Sequence, residues 1–258
     1  MMVKKFLTTI VLVVLAGWVG YKLFRNESEI SGAPPYGEAE SEVPEELDPW
    51  AWLRDWERPE GPARVGLQVG HWKNEELPEE LSRLKGNTGS SGGGKSEWEV
   101  NLAIAEETKM LLEDSPSAGG VVVDLLPATI PPSYWADVFV AIHADGSESS
   151  AVSGFKVAPP WRNFTGKAKI LSTLIEESYG EATGLRLDSN VSRNMRGYYA
   201  FSWWRYTHAL HPMTVPVILE TGFLTNASDR MLIVDQPVVP AEGIVKGILV
   251  FLEQEGLL

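Results

Sequence analysis

Hydrophobic and polar positions along this chain fall into short apolar runs separated by stretches with helical spacing. After residue 62 the runs "RVGLQVG" (64–70), "GVVVDLL" (120–126), "DVFVAIH" (137–143), "SGFKVA" (153–158) and "VPVILE" (215–220) are nearly continuous in apolar residues. Runs of that kind predict strands buried on both faces. Between and after them, "EWEVNLAIAEETKMLLE" (97–113), "GKAKILSTLIEESYG" (166–180) and "AEGIVKGILVFLEQEG" (241–256) predict helices, the first with Val100, Ala103, Ile104 and Leu111 on one face. The alternation predicts an α/β fold, a single layered domain whose mixed, largely parallel central sheet is flanked by helices. No internal repeat interrupts it.

The first helix carries its own start signal. In "SEWE", Ser96 is placed as N-cap and Glu99 at the third helical position, the pattern of a capping box. Glu99 is thereby occupied with structure, whereas Glu97, in the same first turn, is free for another task.

Upstream of the domain the pattern changes twice. Lys4 and Lys5 precede an uncharged apolar run at 6–21, so residues 1–25 are expected to be a signal anchor or signal peptide. No small-residue cleavage site follows the run, and Trp18 and Tyr21 suit a membrane interface, which favours an anchor. Residues 26–62 are rich in Glu, Pro and Gly and cannot bury enough apolar surface to fold alone; they are expected to form an acidic linker. Trp50, Trp52 and Trp56 within it are expected to pack back on the domain that follows. The domain itself is placed at 63–258, on the extracytoplasmic side of a membrane or secreted if the signal is cleaved.

Composition narrows the chemistry. With 258 residues, 44% of them hydrophobic, the chain can bury a substantial core. A net charge of −13 argues against nucleic acid as a partner, because such binding draws on clustered cations. The absence of cysteine excludes thiol nucleophiles, disulfides and cysteine-ligated metal, so any metal site must use histidine and carboxylate.

One motif points elsewhere. "GSSGGGKS" (89–96) fits a phosphate-binding pattern letter for letter, yet such a loop works only when a strand feeds directly into it. The preceding "NEELPEELSRLKGNT" has no strand character, so no nucleotide is expected, and the stretch is read as a flexible glycine segment.

Three ionisable residues each close an apolar run: His71, His143 and Glu220. The carboxyl ends of strands line the ligand crevice of an α/β sheet, so these side chains are expected to converge. With Glu97 they make two imidazoles and two carboxylates, which is the ligand set of a catalytic zinc site plus its base.

On these residues the chain resembles a known family. "VGH" after a strand, "EWEVNLAIA" opening a helix, "ADVFVAIHADG", "SGFKV" and "VPVILETGFLTNASD" are similar, in order and spacing from about 65 to 232, to the zinc-dependent N-acetylmuramoyl-L-alanine amidases that cleave bacterial peptidoglycan. The resemblance implies that His71, Glu97 and His143 hold Zn2+, that Glu220 is the catalytic glutamate, and that peptidoglycan or muropeptides are the substrate. It leaves room for a regulatory protein partner and for a membrane contact through the N-terminal segment. Arg196, in "NMRGYY", faintly resembles an Arg-Gly of the family and is a candidate for a substrate carboxylate.

The chain also departs from the family. In "LQVGHWKN", Gln68 stands where the family has Asp, and Trp72 where it has glycine; the loss of that Asp is expected to weaken the metal site or pass its task to another group. The segment 72–96 is longer than usual. Two other readings share the same residues: a zinc peptidase acting on another amide of the wall peptide, and an inactive wall-binding module of the same fold. His208 and His211 of "HALHP" are expected to pack or face solvent, and Asn226 and Asp229 to cap a short helix.

Overall fold

The computed structural model describes residues 51–116 and 119–258. They belong to two units, Met1–Asp55 and Trp56–Leu258. Of the first, only residues 51–55 are described, and Ala51–Arg54 is a single helical turn. The signal or anchor at 1–25, most of the acidic linker and Trp50 lie outside the described residues. Among the described residues, no helix is long and apolar enough to cross a membrane.

The larger unit holds a five-stranded sheet in the order β4-β1-β5-β7-β6. Its strands are β1 (Arg64–Val69), β4 (Val122–Leu126), β5 (Val138–Asp145), β6 (Lys156–Ala158) and β7 (Val215–Phe223). Four of them run parallel and β6 is antiparallel to β7, which is the mixed, largely parallel sheet expected. The central strands are buried along almost their whole length because both faces of the sheet are covered.

The two faces are covered differently. One carries three long helices, α1 (Glu97–Glu113), α2 (Ala168–Thr183) and α4 (Val238–Gln254), whose apolar stripes meet Val65, Leu67, Val140, Ile142, Val217 and Leu219. Burying each such side chain contributes roughly 1.5–3 kcal/mol. On the other face, loops and short helical turns supply Leu77, Leu81, Ile130, Met195 and Phe201 against Phe139 and Ile218. A short helix, α3 (Ala227–Ile233), follows β7.

The capping box at the start of α1 forms as expected, with the Ser96 N–H donating to Glu99 Oε2 at 2.8 Å. The buried stripe of α1 differs from the apolar face read in the sequence. Val100 and Ile104 are buried with Asn101, Ala105, Thr108 and Leu112, whereas Ala103 and Leu111 are half-buried. The polar residues of the stripe make hydrogen bonds there: the Thr108 hydroxyl donates to the Ile104 carbonyl at 2.7 Å, and the Asn101 amide donates to the Gly70 carbonyl at 3.3 Å.

The glycine segment is a hairpin and not a flexible loop. Ser91–Gly92 (β2) pairs antiparallel with Lys95–Ser96 (β3), and the turn residues Gly93 and Gly94 have φ of 61° and 78°, conformations that suit glycine. Lys95 leans along the helix to Glu99 at 3.4 Å.

Several smaller expectations meet their contacts. Trp56 packs on Trp135 and His211, with ring centroids 5.7 and 5.4 Å away. Arg58 grips Asp137 with two hydrogen bonds, of 2.7 and 2.9 Å. Asn226 caps α3 by accepting from Ser228 and Asp229. Asp229 is a correction: it is fully buried and accepts from Ser153, Gly154 and Phe223, tying the loop before β6 and the end of β7 to its own helix instead of capping that helix.

Candidate metal centre and cleft

The order of the sheet puts the ends of β1, β5 and β7 side by side. Val69 pairs with Ile142 and His143 with Glu220, so the residues that close three apolar runs become neighbours across the sheet. A register shift after His143 bends β5 at the same place. On the far side of Glu220 lies Lys156, its partner across β6.

Glu97 comes to this edge from the first turn of α1. Its Oε1 lies 3.0 Å from His143 Nδ1 and 3.4 Å from His71 Nε2. One ligand atom from each of His71, Glu97 and His143 falls within 4.8 Å of the others. His71 and Glu97 are also held from behind. The Asn87 carbonyl sits 2.7 Å from His71 Nδ1, which must therefore carry the proton, leaving Nε2 as the lone-pair atom. Glu97 accepts from the Ser90 N–H at 2.7 Å, the Ala144 N–H at 3.2 Å and the Asn101 amide at 3.3 Å.

His71 is reached by a tight turn, with φ of 63°, a conformation uncommon for a residue other than glycine and found where a site dictates the backbone. Gly89 passes so close that a Cβ there would lie 2.1 Å from Glu97 Oε2 and 2.7 Å from His71 Cδ2. Its own φ of 71° also favours glycine.

The charges are set by burial and by one another. Burial works against the charged form of Glu97, but the His143 hydrogen bond and the two imidazoles outweigh it and bring its pKa down to about 2. Burial disfavours a charged His143 as well, yet Glu97 prevails and the pKa rises; for His71 burial prevails and the pKa falls. Glu220 is pushed up to about 7 by burial first, with Glu97 and Asp145 adding to the rise and His143 and Lys156 opposing it.

The donor set fits a divalent metal. Two imidazoles and a carboxylate, with His71 and Glu97 steadied by further hydrogen-bond partners, match a three-ligand catalytic zinc site with one position left for water.

Beside the centre opens a cavity of about 510 Å³. His71, His143 and Glu220 line it, as do residues of two segments made of short helical turns and loops, 74–87 and 192–205. Tyr198 stands over His143, its hydroxyl 3.4 Å from Nε2.

Arg196 does not line the cavity: its guanidinium lies over the Trp161 ring at 5.1 Å, and Arg83 and Arg205 line the cavity instead. Gln68 does not touch the ligands. Buried in β1, it donates to the Ala128 carbonyl at 2.9 Å and to the Tyr199 hydroxyl at 2.8 Å. The task of steadying ligands belongs to Asn87, Ser90 and Asn101, and 72–96 supplies the first two. His208 faces Glu80 at 2.7 Å and takes no part in the centre.

Lys156 and Tyr198 are the functional neighbours that sequence reasoning missed. Lys156 lies within "SGFKV" but shows its place only once β6 turns back antiparallel on β7, where it pairs with Asp145 and Asp188. Tyr198 stands in irregular chain with no periodic signal.

Comparison with known proteins agrees with this geometry. Residues 127–250 match the family described as N-acetylmuramoyl-L-alanine amidase. No curated protein matches the chain. Among solved structures, the N-acetylmuramoyl-L-alanine amidase from Clostridium difficile 630 aligns with a TM-score of 0.53 at 19% identity, over 76% of this chain and 100% of that one. The apo form of Ami1, an N-acetylmuramyl-L-alanine amidase from Mycobacterium abscessus, gives 0.52 at 21% identity, over 74% and 98%. The CwlD amidase from Clostridioides difficile, solved in complex with the GerS lipoprotein, gives 0.51 at 19% identity, over 74% and 99%. At these identities the structural likeness speaks for the fold.

Proposed function

We propose, for a domain whose residues 127–250 match the N-acetylmuramoyl-L-alanine amidase family, that the His71–Glu97–His143 centre holds Zn2+ and that Glu220 is the proton carrier in hydrolysis of the amide between N-acetylmuramic acid and L-alanine in peptidoglycan. The observation that carries this reading is the convergence of the three ligands on one point with Glu220 beside His143 across the sheet.

A bound zinc ion supplies Lewis acidity and lowers the pKa of water to roughly 7. The chain's own residues do the rest. Glu97 and the two histidines place negative and neutral donors at the end of the sheet and leave the cavity side open. Glu220, with a pKa raised to about 7, is poised near neutral pH to take the proton of the attacking water and deliver it to the departing amine of alanine. Lys156, its cross-strand neighbour, limits how far that pKa rises. No covalent intermediate with a side chain is required.

The domain acts outside the cytoplasm in this reading, supported by the basic and apolar pattern of residues 1–25, and a membrane contact would run through that segment. The test pairs metal analysis with muropeptide digestion by the purified protein and by Glu220→Gln. Expected are about one zinc per chain in both, as a three-ligand site implies, and new lactyl-muramic ends only with the parent. New ends elsewhere in the peptide would establish the peptidase reading, and absence of zinc from both proteins would leave a binding module.

A further inference from the structure

Two arginines of the cavity have no acidic partner among the described residues. Arg83 comes from 72–96, outside the residues that match the family, and Arg205 comes from the opposite segment of chain; both line the cavity that reaches His71, His143 and Glu220. Their guanidinium carbons lie 5.9 and 5.1 Å from the centroid of one ring, that of Tyr206, and Arg83 Nη2 donates to its hydroxyl at 2.8 Å. Among the described residues, neither guanidinium pairs with a carboxylate.

The platform beneath them is braced. The Tyr206 ring meets buried Tyr199 edge-on at 6.4 Å, and the Tyr199 hydroxyl is held between the Ala128 carbonyl and the Gln68 amide. Glu80 fastens the Arg83 segment to the Tyr206 segment, accepting from the Thr207 N–H at 3.0 Å, the His208 N–H at 2.8 Å and His208 Nδ1 at 2.7 Å. Gln68, the residue that replaces an acid in the family pattern, thus supports this platform rather than the metal. Two like charges gathered over one ring repel each other, and in a chain of net charge −13 a neutralising acid would be easy to supply. Leaving the pair open toward the cavity suits an anionic ligand, and the planar fork of arginine suits a carboxylate.

We propose that Arg83 and Arg205 form an anion subsite that takes a free carboxylate on the peptide side of the substrate, so that the enzyme discriminates peptides bearing that carboxylate from those in which it is amidated. The proposal rests on the amidase reading of the metal centre and adds a specificity to it.

The test uses the full chain and two muropeptides that differ only in whether the peptide carboxylates are free or amidated. It measures kcat/KM for each, and calorimetric binding of each to the Glu220→Gln protein. The parent is expected to favour the free acid by about tenfold, mostly through KM, the size expected for a hydrogen-bonded charge. That ratio falls to near one in Arg83→Gln and in Arg205→Gln, recovers in part in Arg83→Lys, and shrinks as salt rises. Binding to Glu220→Gln shows the same ratio without turnover. Equal kcat/KM on both muropeptides in the parent overturns the subsite and leaves the amidase reading standing. A binding preference with no lactyl-muramic ends released keeps the subsite and refutes the amidase reading.

Discussion

His143 and Glu220 form one half of the candidate site, His71 and Glu97 the other, and the two halves are built on different principles. The first half sits at paired positions of β5 and β7, two buried strands whose register is enforced by the apolar side chains on both faces. The second half depends on a left-handed turn at His71, a glycine at 89 and a helix start fixed by a capping box. The family match at 127–250 covers the register-built half and stops short of the loop-built one. A sheet constrains its members through many neighbours at once, whereas a loop can place the same ligands with different residues.

The sharpest way to separate the halves is to remove one histidine from each. His143→Ala and His71→Ala are both expected to abolish zinc binding, measured by metal analysis. In the metal-free protein, however, His143→Ala leaves buried Glu97 without the nearer of its two imidazoles and should cost about 3–5 kcal/mol of stability. His71→Ala, at a less buried turn, should cost about 1 kcal/mol. Equal losses in chemical denaturation would break the comparison.

Glu220→Gln tests the register-built half by function. Activity on muropeptides should fall about 10²–10⁴-fold with zinc content unchanged. It also carries a pH signature. A carboxyl whose pKa is raised from 4.5 to about 7 in the folded protein binds an extra proton there, so stability falls as pH rises through that window. The melting temperature of metal-free Glu220→Gln should therefore exceed the parent's by more at pH 8 than at pH 5. A constant difference would mean that Glu220 titrates normally.

Gly89→Ala probes the loop-built half. A methyl group there collides with Glu97 and His71, so zinc affinity should drop about 10–100-fold, read by competition with a chelator. The core, formed elsewhere, should keep its stability to within about 1 kcal/mol. The smallest effect is expected from Lys156→Met. Loss of that charge should raise the Glu220 pKa further and move the acid limb of the pH profile of kcat/KM upward by less than about one unit.

Much of the register-built half was legible because strands buried on both faces write themselves as apolar runs. The ionisable residue ending each run then stands out by contrast, as His71, His143 and Glu220 do. The capping box likewise needs only residues within one turn. What supports the ligands was not legible: the Asn87 carbonyl, the Ser90 N–H and the Asn101 amide act through backbone groups or through a helix face that reads as apolar. The hairpin at 91–96 was mistaken for flexible chain because its glycines answer to turn geometry and to the close approach of Glu97, neither of which shows in composition.

From its sequence alone this protein determined an α/β layered domain, a cysteine-free set of metal donors, and which four side chains would meet at the strand ends. Local periodicity and strand-end position carry that information, since they depend on neighbours along the chain. Tertiary structure alone decided the order of the strands, the antiparallel return that sets Lys156 beside Glu220, and the displacement of Arg196 onto Trp161. It also decided the gathering of Arg83 and Arg205 over one tyrosine. Those contacts join residues far apart in sequence through irregular chain, where no periodic pattern records which side chain will face the cleft.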